Sequence, residues 1–109
     1  MKKALPLAMF FLTSQAMAFS PAEISGTWEC MIPGRTYTDI YTADGKYESH
    51  QGDGSDYAGT YSLEGDFLYK SYVNTNYQSG NLSSGYTVAK LTSNQLVLQS
   101  DGKLISCSK

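Results

Sequence analysis

Tyr37-Thr38-Asp39-Ile40-Tyr41-Thr42-Ala43-Asp44-Gly45-Lys46-Tyr47-Glu48-Ser49-His50 reads as two strands folded back on one another. Tyr37–Thr42 and Lys46–His50 carry the β-branched and aromatic side chains that fit a pleated, half-buried surface. Asp44-Gly45 between them supplies the positive φ of a tight hairpin turn. The same grammar recurs down the chain. Glu64-Gly65 separates Tyr57–Leu63 from Asp66–Val73, Thr92-Ser93-Asn94 separates Tyr86–Leu91 from Gln95–Gln99, and Asp101-Gly102 separates Gln95–Gln99 from Lys103–Cys107. With Ser25–Ile32 in front, eight strands follow one another as hairpins, and no stretch holds a helical period. The expectation is an all-β, antiparallel, up-and-down meander.

The two cysteines, Cys30 and Cys107, fall in the first and last of these strands. Their count is even and they form no Cys-x-x-Cys spacing, so in an exported chain one structural disulfide is favoured over a zinc or redox site. Such a bond needs Cα atoms within roughly 7 Å. The first and last strands must then lie side by side and the meander closes into a barrel, which leaves no open edge; a flatter sandwich is the alternative. The loop it closes spans 78 residues, for which chain entropy gives about 4.5 kcal/mol.

Export is read from the start of the chain. Lys2-Lys3 precedes an apolar run from Ala4 to Leu12, and Ala16-Met17-Ala18 has the small-x-small pattern of a signal-peptidase site. The run is about ten residues, well short of the roughly 20 of a spanning helix. Residues 1–18 are therefore expected to be a cleaved signal peptide, and residues 19–109 one domain of 91 residues, located in the periplasm or outside the cell. That domain carries six basic and ten acidic residues, a formal charge of −4. A phosphate backbone would be repelled, so nucleic acid is excluded as a partner. A membrane span in the mature part is excluded too, and a monomer is expected.

Alternation places Trp28 and Cys30 on one face of the first strand, Tyr57, Gly59, Tyr61 and Leu63 on one face of the fourth, Leu96 and Leu98 together, and Ile105 with Cys107. An eight-stranded barrel is only just wide enough for its own side chains or one small ligand, and strands this short predict no deep cavity. Two long connections, Gln51–Asp56 and Asn74–Gly85, are built from Gly, Ser, Asn and Asp and are the expected interacting parts. Phe19–Glu23 reads as a short flexible arm ahead of the barrel.

Ile24-Ser25-Gly26-Thr27-Trp28 resembles the Gly-x-Trp signature that opens the first strand of lipocalins and related calycin barrels. Tyr41-Thr42-Ala43-Asp44-Gly45-Lys46-Tyr47 and Gly59-Thr60-Tyr61-Ser62-Leu63 are similar to paired strands of small bacterial lipocalin-like domains. The resemblance implies a barrel plugged at one end by Trp28 and a binding role; the chain is much shorter than lipocalins proper. Ser20 to Trp28 also looks like the entry of bacterial inhibitors of secreted metalloproteases, whose N-terminal arm blocks the protease cleft. The placement of the cysteines resembles that of the periplasmic inhibitors of C-type lysozyme, although Ser84-Gly85-Tyr86 departs from the Ser-Gly-x-x-Tyr loop that those proteins insert.

Catalytic chemistry is weakly represented. His50 is the single histidine, and the Gly-rich segment after it offers no fixed base and nucleophile. Gly52-Asp53-Gly54-Ser55-Asp56 lacks the run of oxygen ligands and the closing Glu of an EF-hand, so neither metal nor cofactor is expected. The nine tyrosines remain. Most suit half-buried sheet positions, ring inward and hydroxyl at the wet edge. Tyr69 and Tyr72 cannot both face inward, however, and Tyr77 lies in the long connection. These three, with Asn74, Asn76 and Gln78, are the candidate contacts to a partner. The expected function is a non-enzymatic, lipocalin-like binding protein for a small molecule or a protein; the alternative is an inhibitor or immunity-type protein that blocks a protease, a lysozyme or another wall-active enzyme.

Overall fold

The computed structural model describes residues 19–77 and 80–109. The leader expected at residues 1–18, and Gln78 among the candidate contacts, lie outside them. A helical turn, α1 (Pro21–Ile24), leads into β1 (Gly26–Ile32), β2 (Arg35–Tyr41), β3 (Lys46–His50), β4 (Asp56–Glu64), β5 (Phe67–Asn74), β6 (Leu82–Leu91), β7 (Gln95–Ser100) and β8 (Lys103–Ser108). Each strand pairs with the next, and β1 pairs with β8, so the sheet is a closed antiparallel barrel. Closure runs through Glu29↔Ser108, Cys30↔Cys107 and Met31↔Ser106. The Cys30–Cys107 disulfide bridges that pairing directly, at a Cα separation of 4.0 Å.

The turns form where sequence chemistry puts them. Gly45 and Gly65 have φ of 93° and 64°, and Asp101-Gly102 takes 52° and 75°, two successive positive values as a type I′ hairpin requires. β6 begins earlier than expected, at Leu82 rather than Tyr86, so the connection after β5 shrinks to residues 75–81. Ser83, Ser84 and Gly85 are poor strand formers alone. They are held because they pair with Ser71, Lys70 and Tyr69, and the Phe67 ring covers the outer face of Gly85 in the space a Cβ would occupy. Asn74, expected in a loop, is the last residue of β5 and pairs with Tyr57.

The expected flexible arm at Phe19–Glu23 is instead a docked plug. Ser20 N–H donates to Glu23 Oε1 at 2.8 Å, Pro21 sits where a helix start tolerates it, and Phe19 N–H donates to Gly65 O at 3.2 Å. The turn buries Ile24 fully and presents its carbonyl to the Trp28 indole N–H at 2.8 Å. Lys109 Nζ lies 4.7 Å from the Trp28 ring centroid and donates to Ser25 O at 2.9 Å. Gly26 makes room for this: its φ is 130°, and a Cβ would fall 2.7 Å from Lys109 Cε. One end of the barrel is thereby shut over a dry core of Trp28, Tyr41, Leu68, Leu96 and Leu98.

Candidate functional site

The strand directions fix where the other end lies. The turns at residues 33–34, 51–55, 75–81 and 101–102 all stand opposite α1. Both long connections singled out from sequence therefore meet at one rim. They are stitched together there: Asn76 Nδ2 donates to Gly54 O, and Thr75 N–H donates to Asp56 O at 2.8 Å. Inside this rim is an open cup of about 290 Å³. The strands are short, and the cup occupies half of the barrel rather than running its length.

Alternation builds the walls. Tyr37, Asp39 and Tyr41 point inward from β2, Tyr47 and Ser49 from β3, Leu68, Lys70 and Tyr72 from β5, and Tyr86 and Val88 from β6. The register sets Asp39 opposite Ser49, and Lys70 opposite Ser84. The middle of the barrel is thus polar, a layer between the dry core and the mouth. Its charged members are Asp39, fully buried, and Lys70, 5% exposed.

These two form an ion pair, Lys70 Nζ to Asp39 Oδ2, at 3.2 Å. Asp39 also accepts from Tyr41 Oη on Oδ2 and from Tyr47 Oη on Oδ1, each at 3.3 Å. The Lys70 ammonium lies 4.5 Å from the Tyr47 ring centroid, 4.8 Å from Tyr86 and 5.2 Å from Tyr41. That is an aromatic cage around a cation, worth up to ~2 kcal/mol or more per contact when desolvated. Burial lowers the Lys70 pKa from its ordinary value, and Asp39 partly offsets this. Burial raises the hydroxyls of Tyr37, Tyr47 and Tyr86, with Asp39 adding to the effect, so these three stay neutral donors.

At the mouth Arg35 donates from Nη1 to Gln51 Oε1 at 2.6 Å and sits 5.7 Å from the Tyr37 centroid. Gln51 in turn donates to the buried Ser49 Oγ at 2.6 Å. Tyr57 and Tyr72 meet edge to face at 5.3 Å and complete an aromatic wall.

The structure separates the sequence candidates. Tyr72 belongs to the cup interior, not to an outer contact surface. Tyr69, three positions away and so on the opposite face of β5, is 47% exposed on the outer face and packs on Phe67 at 4.6 Å. Asn74, Asn76 and Tyr77 stand at the rim, Tyr77 71% exposed. Ser84-Gly85-Tyr86 is part of β6, not of a protruding loop. His50 is a surface residue bonded to Asp56 at 2.9 Å. Sequence reasoning missed Asp39, Lys70 and Arg35; the signal was there in the alternation of Tyr37/Asp39/Tyr41 and Leu68/Lys70/Tyr72, which puts opposite charges on two core faces.

Among the described residues no three His, Cys, Asp or Glu side chains gather as metal ligands, and no helix is long and apolar enough to cross a membrane. No protein-family model matches the chain, and no curated protein is similar to it in sequence. A solved structure does match: that of a lipocalin-like protein from Bacteroides uniformis, 16% identical, with a TM-score of 0.59, over 80% of this chain and 98% of that one. The fold is lipocalin-like. At that identity the likeness concerns the barrel alone, and it agrees with the strand count and closure described above.

Proposed function

We propose that residues 19–109, after loss of the leader, act as an exported, monomeric, non-enzymatic binding protein that takes a small molecule into the open half of its barrel. The observation that carries this reading is the cup itself: aromatic walls, a polar floor and a rim formed by both long connections. Small-ligand sites are concave and mostly apolar, with a few placed polar groups. A lipocalin-like barrel suits that task. A periplasmic or secreted location fits a chain stapled by a disulfide, and the acidic balance of the mature part argues against nucleic acid.

The test is a two-dimensional amide NMR titration of the oxidised protein with a library of small molecules. Shifts expected under this reading cluster at Tyr37, Lys70, Tyr72 and Tyr86 and spare Trp28 and Lys109 at the shut end. Shifts confined to the outer face around Tyr69, or no response to any compound, would remove it. A protein partner held by the rim is the second reading, favoured by the exposure of Tyr77 beside Asn76. It includes inhibition of a wall-active enzyme. A stoichiometric partner recovered by the native chain and lost with Tyr77→Ala would establish it.

A further inference from the structure

The charges that face the cup are unequal in number and in availability. Lys70 and Arg35 are cationic and Asp39 is the one anion among the cup-lining side chains. The Asp39 carboxylate is already engaged by three donors, Tyr41, Tyr47 and Lys70. The Lys70 ammonium has three hydrogens and spends one on Asp39; the others face aromatic rings, which are weaker acceptors than an anion. The hydroxyls of Tyr37, Tyr57 and Tyr86 are further donors along the wall, and Arg35 stands at the entrance. A second cation entering this space would meet an ammonium and an occupied carboxylate. An anion would meet unspent donors and a net positive interior, and charge-assisted hydrogen bonds to it are roughly twice as strong as neutral ones.

Size and shape narrow the class. A volume of about 290 Å³ equals that of roughly ten waters at about 30 Å³ each, so the occupant has on the order of ten non-hydrogen atoms. The walls are rings: Tyr57 and Tyr72 edge to face at 5.3 Å, with Tyr47 and Tyr72 at 5.7 Å. Such walls favour a flat, aromatic body in offset or edge contact. We propose that the cup binds small aromatic carboxylates of benzoate size, head down, with the carboxylate on Lys70 Nζ and the ring between Tyr37, Tyr72 and Tyr86. This rests on the reading of the cup as a small-molecule site and adds its charge selectivity.

The experiment is isothermal titration calorimetry of the oxidised native chain with three matched probes: 4-hydroxybenzoate, 4-hydroxybenzamide and 4-hydroxybenzylamine. The carboxylate is expected to bind at least tenfold more tightly than the amide, and the amine least of all. Asp39→Asn/Lys70→Met, which removes both charges together and so avoids stranding one, is expected to fold and to lose the tenfold preference. Lys90→Met, on the outer face of β6, is expected to keep it. Equal binding of carboxylate and amide, or tighter binding of the amine, overturns the charge selectivity and leaves the cup as a small-molecule site. Preference retained by the double variant overturns the role of Lys70. No heat and no cup resonance shift with any probe at millimolar concentration overturns the proposal, and the library titration then decides the wider reading separately.

Discussion

Replacing Lys70 with methionine would strand the Asp39 carboxylate in the middle of the barrel. At 3.2 Å and an effective dielectric of about 20, the lost attraction is about 5 kcal/mol before any relaxation. Removing one member of a buried pair costs about 3–5 kcal/mol in measured cases, because the remaining charge is left uncompensated. Methionine is close to lysine in length and restores the packing, so the loss is electrostatic rather than a cavity. A domain of this size has only about 5–15 kcal/mol in total. For 60–100 residues each kcal/mol moves Tm by about 4–8 °C, so Lys70→Met should melt at least ~12 °C below the native chain. Asp39→Asn/Lys70→Met should recover at least ~2 kcal/mol of the loss, since the amide oxygen still accepts from one of the Tyr41 and Tyr47 hydroxyls, its NH2 can donate to the oxygen of the other, and no charge is stranded. Thermal melting by far-ultraviolet circular dichroism gives the Tm shift, and urea unfolding followed by Trp28 fluorescence gives the free-energy difference. The reasoning fails if Lys70→Met melts within ~3 °C of the native chain, or if the double variant is no more stable than the single one.

Cys30→Ser/Cys107→Ser should lower stability by up to about 4.5 kcal/mol, given the 77-residue separation it releases; a Tm unchanged by the variant, or by reduction of the native chain, would contradict this. Gly59→Ala should cost at least ~2 kcal/mol, because its Cβ would stand 2.0 Å from Ser71 O and 2.6 Å from Tyr72 Cα, both backbone atoms of the paired strand. Gly80→Ala, with nothing within 4 Å, serves as the neutral control in the same denaturant series. The His50 pKa is raised above its ordinary value, chiefly by the hydrogen bond to Asp56. Its small contribution to stability is therefore complete below about pH 6.5 and lost as pH rises through the raised value. Imidazole NMR titration should show the shift and its collapse in Asp56→Asn; an Asp56→Asn midpoint equal to that of the native chain would refute it.

The barrel was legible because its information is local. Asp44-Gly45, Glu64-Gly65 and Asp101-Gly102 state their turn geometry in two residues each, and the position of the cysteines in the first and last strands supplies closure. The start of β6 was not, because Ser83-Ser84-Gly85 has little strand preference of its own and is fixed by β5 and by Phe67, a contact between residues 18 apart in sequence. The N-terminal arm misled for a similar reason: its order comes from the Trp28 indole and the Gly65 carbonyl, not from its own composition. The rim loops were found by composition, yet their joining through Asn76 and Gly54 is tertiary. The ion pair was hidden by the habit of assigning charge to solvent. Asp39 lies between two inward tyrosines and Lys70 between Leu68 and Tyr72, and only the period-two count, applied without regard to residue type, places them inside.

Both Phe19 and Lys109 are fastened at the shut end, one to Gly65 and the other to Asn94 and Ser25. A tag, a fusion or a surface linkage joined ahead of Phe19 or beyond Lys109 would hold the molecule by its base and leave the mouth facing away. The four rim connections, which carry none of the closure, are then free to be exchanged for others, so that one stapled frame could be refitted for new guests without touching the bond that keeps it round.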